Sequence, residues 1–343
     1  MLNKTIIFAK IKGENMLKIT KVVTTCLFIL NSVICLHSQS LTKFSGMVFF
    51  DYYYNLSTNT SYKNDMHGFQ FRRIFFTGDF DVSNRLSARL RIESDGTNFK
   101  DEKKLGAYMK DVYFLYNTSN IQFYAGLIPT PPIEIEEKYW AYRSVEKIQS
   151  DLRGLVATRD LGLAVKSNNS NLPINWIAMF GNNSSHGEET DKYKKLYLHS
   201  NIAFDKNFVM SIDLNFANDH QNKNFYYTRL GFFFPDLIER TLTSGFTIVN
   251  TIKNNNSGKD IVSLGSSFFS SLSLKSDIKT FIRVDLIDFN FDIINDMEYS
   301  LILGLDYKID KNLNLIPNLY YNVYENLNNK SDLVFKITTS YQF

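Results

Sequence analysis

Residues 85–95 read RLSARLRIESD. In an extended chain successive side chains alternate, so Ser87, Arg89, Arg91 and Glu93 point one way. Leu86, Ala88, Leu90 and Ile92 point the other. The apolar half has to be buried and the charged half has to stay wet. Two arrangements satisfy both demands: a soluble sheet with one solvated face, or a closed barrel with lipid outside and water inside.

The same alternation recurs about every 19 residues, in sixteen segments, with no convincing amphipathic helix among them. Apolar sets such as Val48, Phe50 and Tyr52, or Val112, Phe114 and Tyr116, mark early segments. Ile282, Val284 and Leu286 mark a late one. The connections are sorted by length. DVSN (81–84), NTSN (117–120), SNNSNLP (167–173), DKN (205–207), PDLIE (235–239), SLSLKSD (271–277) and KIDKN (308–312) are short turns. Between them fall longer polar stretches, such as GNNSSHGEETDKYK and NVYENLNNKSD. Short turns at one end, long loops at the other and an even strand count are the pattern of an outer-membrane barrel. Aromatics at 15%, with 29 Phe and 20 Tyr, suit its interfacial girdles.

The polar partners point the same way. A cation facing lipid at mid-bilayer costs about 2–4 kcal/mol, so Arg89 and Arg91 turned outward would cost roughly 4–8 kcal/mol together. Parity therefore predicts that Arg73, Arg89, Arg91, Glu93, Asp111, Arg229, Arg283 and Asp285 line a watery lumen. Arg72 and Arg73 are adjacent, so one should face out unless a bulge intervenes. Near a loop end, Arg72 is the one expected to snorkel to headgroups.

From Met16 the chain reads MLKITKVVTTCLFILNSVICLHSQS: lysines, an apolar run and a small residue before Gln39. These are the parts of a secretory signal peptide, placed at 1–38 with Met16 as an alternative start, and the barrel is expected over 39–343. Both cysteines, Cys26 and Cys35, fall in the leader, which excludes a disulfide scaffold or Cys-ligated metal in the mature chain. A net charge of +3 with 21% charged residues argues against nucleic acid.

The chain ends FKITTSYQF. Phe335, Ile337, Tyr341 and Phe343 share one face, as expected of a terminal strand that signals barrel assembly. With the blocks FQFRRIFFTGDFDVSNRLSARLRIES (69–94), KDVYFLY (110–116), FYAGLIPTP (123–131), EKYWAYRSVEKIQSD (137–151) and TRDLGLAVK (158–166), the sequence resembles the phosphate-selective porins O and P of bacteria. The blocks cover roughly the first third of the mature chain. The resemblance implies a transmembrane antiparallel β-barrel of 16 strands, usually trimeric, whose third long loop folds into the lumen. That loop corresponds to about Pro129–Arg159, long enough to be functional rather than a simple connection. Tyr139, Trp140, Tyr142, Arg143, Lys147, Asp151, Arg153 and Arg159 are its candidate constriction residues. Cations here are interleaved with Glu93, Asp111, Glu146, Asp151 and Asp160, a mixture that predicts a general polar pore with a transverse field rather than a phosphate filter.

Catalysis is not expected. His199 faces the lumen while Ser200 faces lipid, so no nucleophile–base pair forms. DFNFDIINDME starts like a calcium loop, but Ile293 replaces its glycine and Tyr299 its final glutamate. No cofactor or metal is predicted. The expected function is passive diffusion of small hydrophilic solutes or ions through an outer-membrane porin of a Gram-negative bacterium, with both termini periplasmic. Outer-membrane lipid, lipopolysaccharide, the barrel-assembly machinery and two further copies of the chain are the expected partners. The rival is a non-conducting barrel acting as an adhesin or receptor through its Asn-rich loops.

Overall fold

The computed structural model describes residues 42–95, 106–168, 173–218, 223–238, 241–254, 258–326 and 328–343; the segment 1–38 expected to be a signal peptide, with Cys26 and Cys35, lies outside them. The first eight strands are β1 (Thr42–Ser57), β2 (His67–Asp81), β3 (Leu86–Asp95), β4 (Tyr108–Asn117), β5 (Ile121–Pro129), β6 (Arg159–Ser167), β7 (Ile174–Gly181) and β8 (Lys195–Ala203). The second eight are β9 (Val209–Asn218), β10 (Asn224–Ile238), β11 (Leu242–Lys253), β12 (Ile261–Ser273), β13 (Ile278–Asp288), β14 (Glu298–Asp310), β15 (Leu313–Tyr324) and β16 (Asp332–Gln342). Each pairs with its neighbours in sequence, and β1 pairs antiparallel with β16, with Phe49 opposite Ser340. The sheet is a closed sixteen-stranded antiparallel barrel. Closure leaves no open edge.

The outer face carries the predicted apolar sets: Phe76, Phe114, Leu163, Phe180 and Phe268 are exposed, while Asp51, Asp213 and Asn215 point inward and are buried. Parity shifts by one residue within β2 and again between β3 and β4. Phe69 and Phe71 face out ahead of Arg72, and Phe76 faces out after Arg73, so both arginines turn inward. The expectation that Arg72 snorkels to lipid is thus overturned. It bonds to interior carbonyls and to Glu146, which outweigh anything headgroups offer. A second shift lies between β3 and β4, where Arg91 pairs with Asp111 and Ile92 with Met109, so that Lys110 and Asp111 both turn inward. One turn is also misplaced: β10 continues through Pro235 to Ile238, although pairing with β11 lapses between Phe234 and Ile238. Proline has no N–H to give the ladder, and that explains the lapse.

Between β5 and β6 the chain leaves the wall. Pro129 pairs with Arg159, and the neck above is held by Thr130 N–H to the Thr158 carbonyl at 3.1 Å and Thr130 Oγ1 to Ala157 at 2.5 Å. Helix α1 (Pro131–Trp140) starts at two prolines, whose missing N–H groups would be unpaired in a first turn anyway. It ends at Ala141, which takes the left-handed conformation (φ 59°) that glycine usually supplies. A short second helix, α2 (Gln149–Leu152), precedes the return. The inserted segment is therefore 130–158, and Arg159, predicted as a loop residue, opens β6.

Candidate functional site

The inserted segment divides the barrel interior. Its apolar residues Ile133, Trp140, Tyr142, Val145, Ile148 and Val156 pack with inward residues of β6 to β15, such as Met179, Tyr197, Tyr227, Phe233, Phe269 and Phe281, in one buried cluster. Tyr142 stacks on Phe281 with ring centres 4.0 Å apart, Tyr139 stacks on Phe233 at 4.7 Å, and Trp140 meets Phe269 and Phe281 edge-on. Offset and edge-to-face pairs of this kind add to area burial. On this side the inserted segment packs directly against the wall.

Polar anchors fix the segment to the wall. Arg229 on β10 joins Glu136 of α1 at 2.6 Å and Asp213 of β9 at 2.6 Å, and Asp213 accepts a 2.7 Å bond from His199. Arg283 is held by Asp285, donates to the Lys147 carbonyl at 2.6 Å and lies 5.0 Å from the Trp140 ring centre. The Gln149 amide bonds the carbonyls of Ser266 and Leu286 at 3.1 and 2.8 Å. Arg153 turns to β14 and β15, bonding Ser300 at 2.8 Å, Asn322 at 3.1 Å and Glu298. Hence Arg229, Arg283 and Asp285, predicted to line the pore, do face inward but are covered: they are at most 1% exposed. Parity finds the inner face; it cannot tell that a segment from elsewhere in the chain lies over it.

The other side stays open. Three cavities of about 260, 470 and 220 Å³ follow one another along β1 to β6. The first and second share Arg73 and Arg143, and the second and third share Arg91, Glu137 and Arg159, so they form one track between the wall and α1. Arg143, expected as a constriction residue, belongs to it, as do Lys110 and Lys138, which were not predicted; Lys110 is inward only because of the second parity shift.

The charges on this track are layered. Glu93 lies between Arg73 (2.7 Å) and Lys110 (3.0 Å), while Asp111 lies between Arg91 (3.2 Å) and Arg159. Both carboxylates are 0% exposed, whereas the Arg91 side chain is 25% exposed. Each acid is thus sealed behind two cations. Arg89 is paired with Asp79 at 2.6 Å, with both side chains about one-third exposed. Across the track, Arg143 binds Glu137 at 2.7 Å and Asp151 at 2.9 Å, and Lys147 reaches Asp151 at 3.4 Å. Burial lowers the pKa of the Arg143 guanidinium, and nearby Arg73 works in the same direction. The even mixture expected from the sequence resolves into two buried acids, Glu93 and Asp111, beneath a lining in which cations outnumber the acids Glu137, Glu134 and Asp95.

A closed sixteen-stranded barrel whose third long connection folds inside is the fold of the porins. The chain is similar to the anion-selective porin from Comamonas acidovorans, with a TM-score of 0.71 and 12% identity over 89% of this chain and 100% of that one. It is similar also to the in-vitro folded OmpT of Vibrio cholerae, an outer membrane protein solved in a trimer form (TM-score 0.67, 12% identity, 89% of this chain and 100% of that one). The outer membrane channel DcaP of Acinetobacter baumannii aligns with a TM-score of 0.66 at 11% identity, over 90% of this chain and 98% of that one. No protein-family model matches the chain, and no curated protein sequence matches it. The likeness is one of fold.

Proposed function

We propose that the chain is an outer-membrane porin that lets small hydrophilic solutes diffuse passively along β1 to β6, with anions favoured. The observation that carries this reading is the layering of charge: Glu93 and Asp111 are sealed from the track while Arg91, Arg143 and Lys110 line it. A fixed positive surface in a narrow passage raises the local anion population, most strongly where screening is weak. The Comamonas acidovorans porin, similar in fold, is anion-selective, in agreement with that reading.

The rest of the reading follows the sequence. Residues 1–38 direct export, the turns and both termini face the periplasm of a Gram-negative bacterium, and the long loops face outward among lipopolysaccharide. Phe335, Ile337, Tyr341 and Phe343 present the assembly machinery with an apolar face, and three copies associate, as the OmpT trimer form does. The blocks at 69–94, 110–116, 123–131, 137–151 and 158–166, which resemble the phosphate-selective porins O and P, support reading the chain as a porin of that kind. Reconstitution in planar bilayers under a potassium chloride gradient tests the function. Stepwise currents with a reversal potential on the chloride side are expected. A silent barrel would favour the receptor reading.

A further inference from the structure

A fourth cavity, of about 470 Å³, lies on the other side of the inserted segment. Its wall is made by the long-loop ends of β8 to β12 and its inner boundary by the return limb 154–157, with Val156 belonging to the buried apolar cluster. It shares no lining residue with the three cavities of the track. Its volume lies in the range of small-molecule sites.

The lining has a definite chemistry. Lys195, Lys223 and Lys253 contribute cations and, among the described residues, no Asp or Glu lines the cavity, while Leu155, Val156 and Phe225 supply apolar surface. Lys195 is only 5% exposed. Its ammonium lies 5.0 Å from the Tyr197 ring centre and 4.7 Å from that of Phe225, and among the described residues its Nζ has no hydrogen-bond acceptor or ion-pair partner within contact distance. The neighbouring Asp160 is already engaged by the Leu161 and Asn183 N–H groups and the Tyr197 hydroxyl. A lysine has three donors, and a buried charge held only by ring faces is poorly compensated.

We infer that this cavity is a binding site for a small organic carboxylate with an apolar body, its carboxylate on Lys195 and its body against Phe225 and the 155–156 limb. Tyr197 and Phe225 hold the ammonium in place and leave its donors facing the ligand. Because the site is walled off from the track, occupancy does not obstruct solute flow.

Calorimetric titration of the full-length folded barrel with 4-phenylbutyrate tests this. Saturable binding is expected, with much weaker binding of 4-phenylbutanol, which has no charge, and of inorganic phosphate, which has no apolar body. Lys195→Met should weaken 4-phenylbutyrate on the order of thirtyfold or more, the usual consequence of removing one partner of a buried charge pair. Ala217→Trp, which fills the cavity but keeps Lys195, should do the same. Both variants should keep the heat-modifiable mobility of a folded barrel and the wild-type conductance, so a failure here is distinct from a failure to conduct. Equal binding of the alcohol, equal binding of phosphate, or unchanged 4-phenylbutyrate affinity in a folded Ala217→Trp barrel would each overturn the proposal.

Discussion

Arg229 and Glu136 meet at 2.6 Å, with side chains 0% and 2% exposed, and this contact ties the inserted helix to the barrel wall. A buried pair of this kind says little about net stability, but breaking it leaves a charge without a partner. Glu136→Ala should therefore lower stability by about 3 kcal/mol, near the low end for such losses because Arg229 keeps Asp213. The temperature at which the barrel loses its compact gel mobility reads the loss. Single-channel records should become noisier as α1 is freed.

Acid should loosen the same segment through Glu146. Burial alone would raise its carboxyl, but Arg72 and then Lys336, with the Lys147 N–H, outweigh burial and bring it down from 4.5 to about 2. A carboxyl depressed in the folded state binds protons more readily when unfolded. Its stabilisation is thus complete above pH 4.5 and disappears as the pH falls toward 2. The amount is on the order of 3 kcal/mol. Glu146→Gln should flatten this acid limb in melts taken from pH 6 downward; an unchanged limb would assign the loss to other groups.

Charge removal at the wall should alter selectivity without altering assembly. Arg89→Gln with Arg91→Gln removes two cations from the cavity that both line, and leaves the apolar outer face untouched. The reversal potential should move toward cations, and more at 0.01 M salt than at 1 M, where the screening length falls from about 30 to 3 Å. Insertion at wild-type yield with an unmoved potential would mean that these arginines border a wide vestibule.

These residues also show how far the sequence could be read. Arg89 and Arg91 were legible because β3 keeps strict alternation against Leu90 and Ile92. Arg72 and Lys110 were not, since a single extra residue reverses every side chain beyond it. In hindsight both shifts carry a mark: adjacent charged residues, Arg72–Arg73 and Lys110–Asp111, in strands whose outer face is apolar. The aromatic cluster 139–142 announced a packed loop, but nothing local announced its partners. Glu136 and Arg229 are 93 residues apart in the chain, and Arg153 and Ser300 are 147 apart. That is why Arg229, Arg283 and Asp285 were read as open to solvent.

The last strand should control assembly. The Phe343 ring lies over Gly46, where an added Cβ would come within 2.0 Å of it, and stacks with Tyr341 at 5.9 Å on the outer face. Deleting Phe343 should reduce the heat-modifiable, membrane-inserted fraction, and Gly46→Val should do so as well by displacing the ring. Normal insertion of both would remove the terminal-signal reading.

Solute passes along β1 to β6 and not beneath the inserted segment where it packs on the opposite wall, and cysteine accessibility tests this most directly. Cys26 and Cys35 are the chain's two cysteines and both precede β1, so with both replaced by serine the introduced thiols report alone. Thr158→Cys and Glu137→Cys place a thiol on the track, whereas Thr247→Cys and Ser267→Cys place one beneath the inserted segment. A charged methanethiosulfonate reagent added to open channels should cut the current of the first pair within seconds to minutes and leave the second pair unchanged. Block of Thr247→Cys or Ser267→Cys, with Thr158→Cys and Glu137→Cys unaffected, would contradict the account.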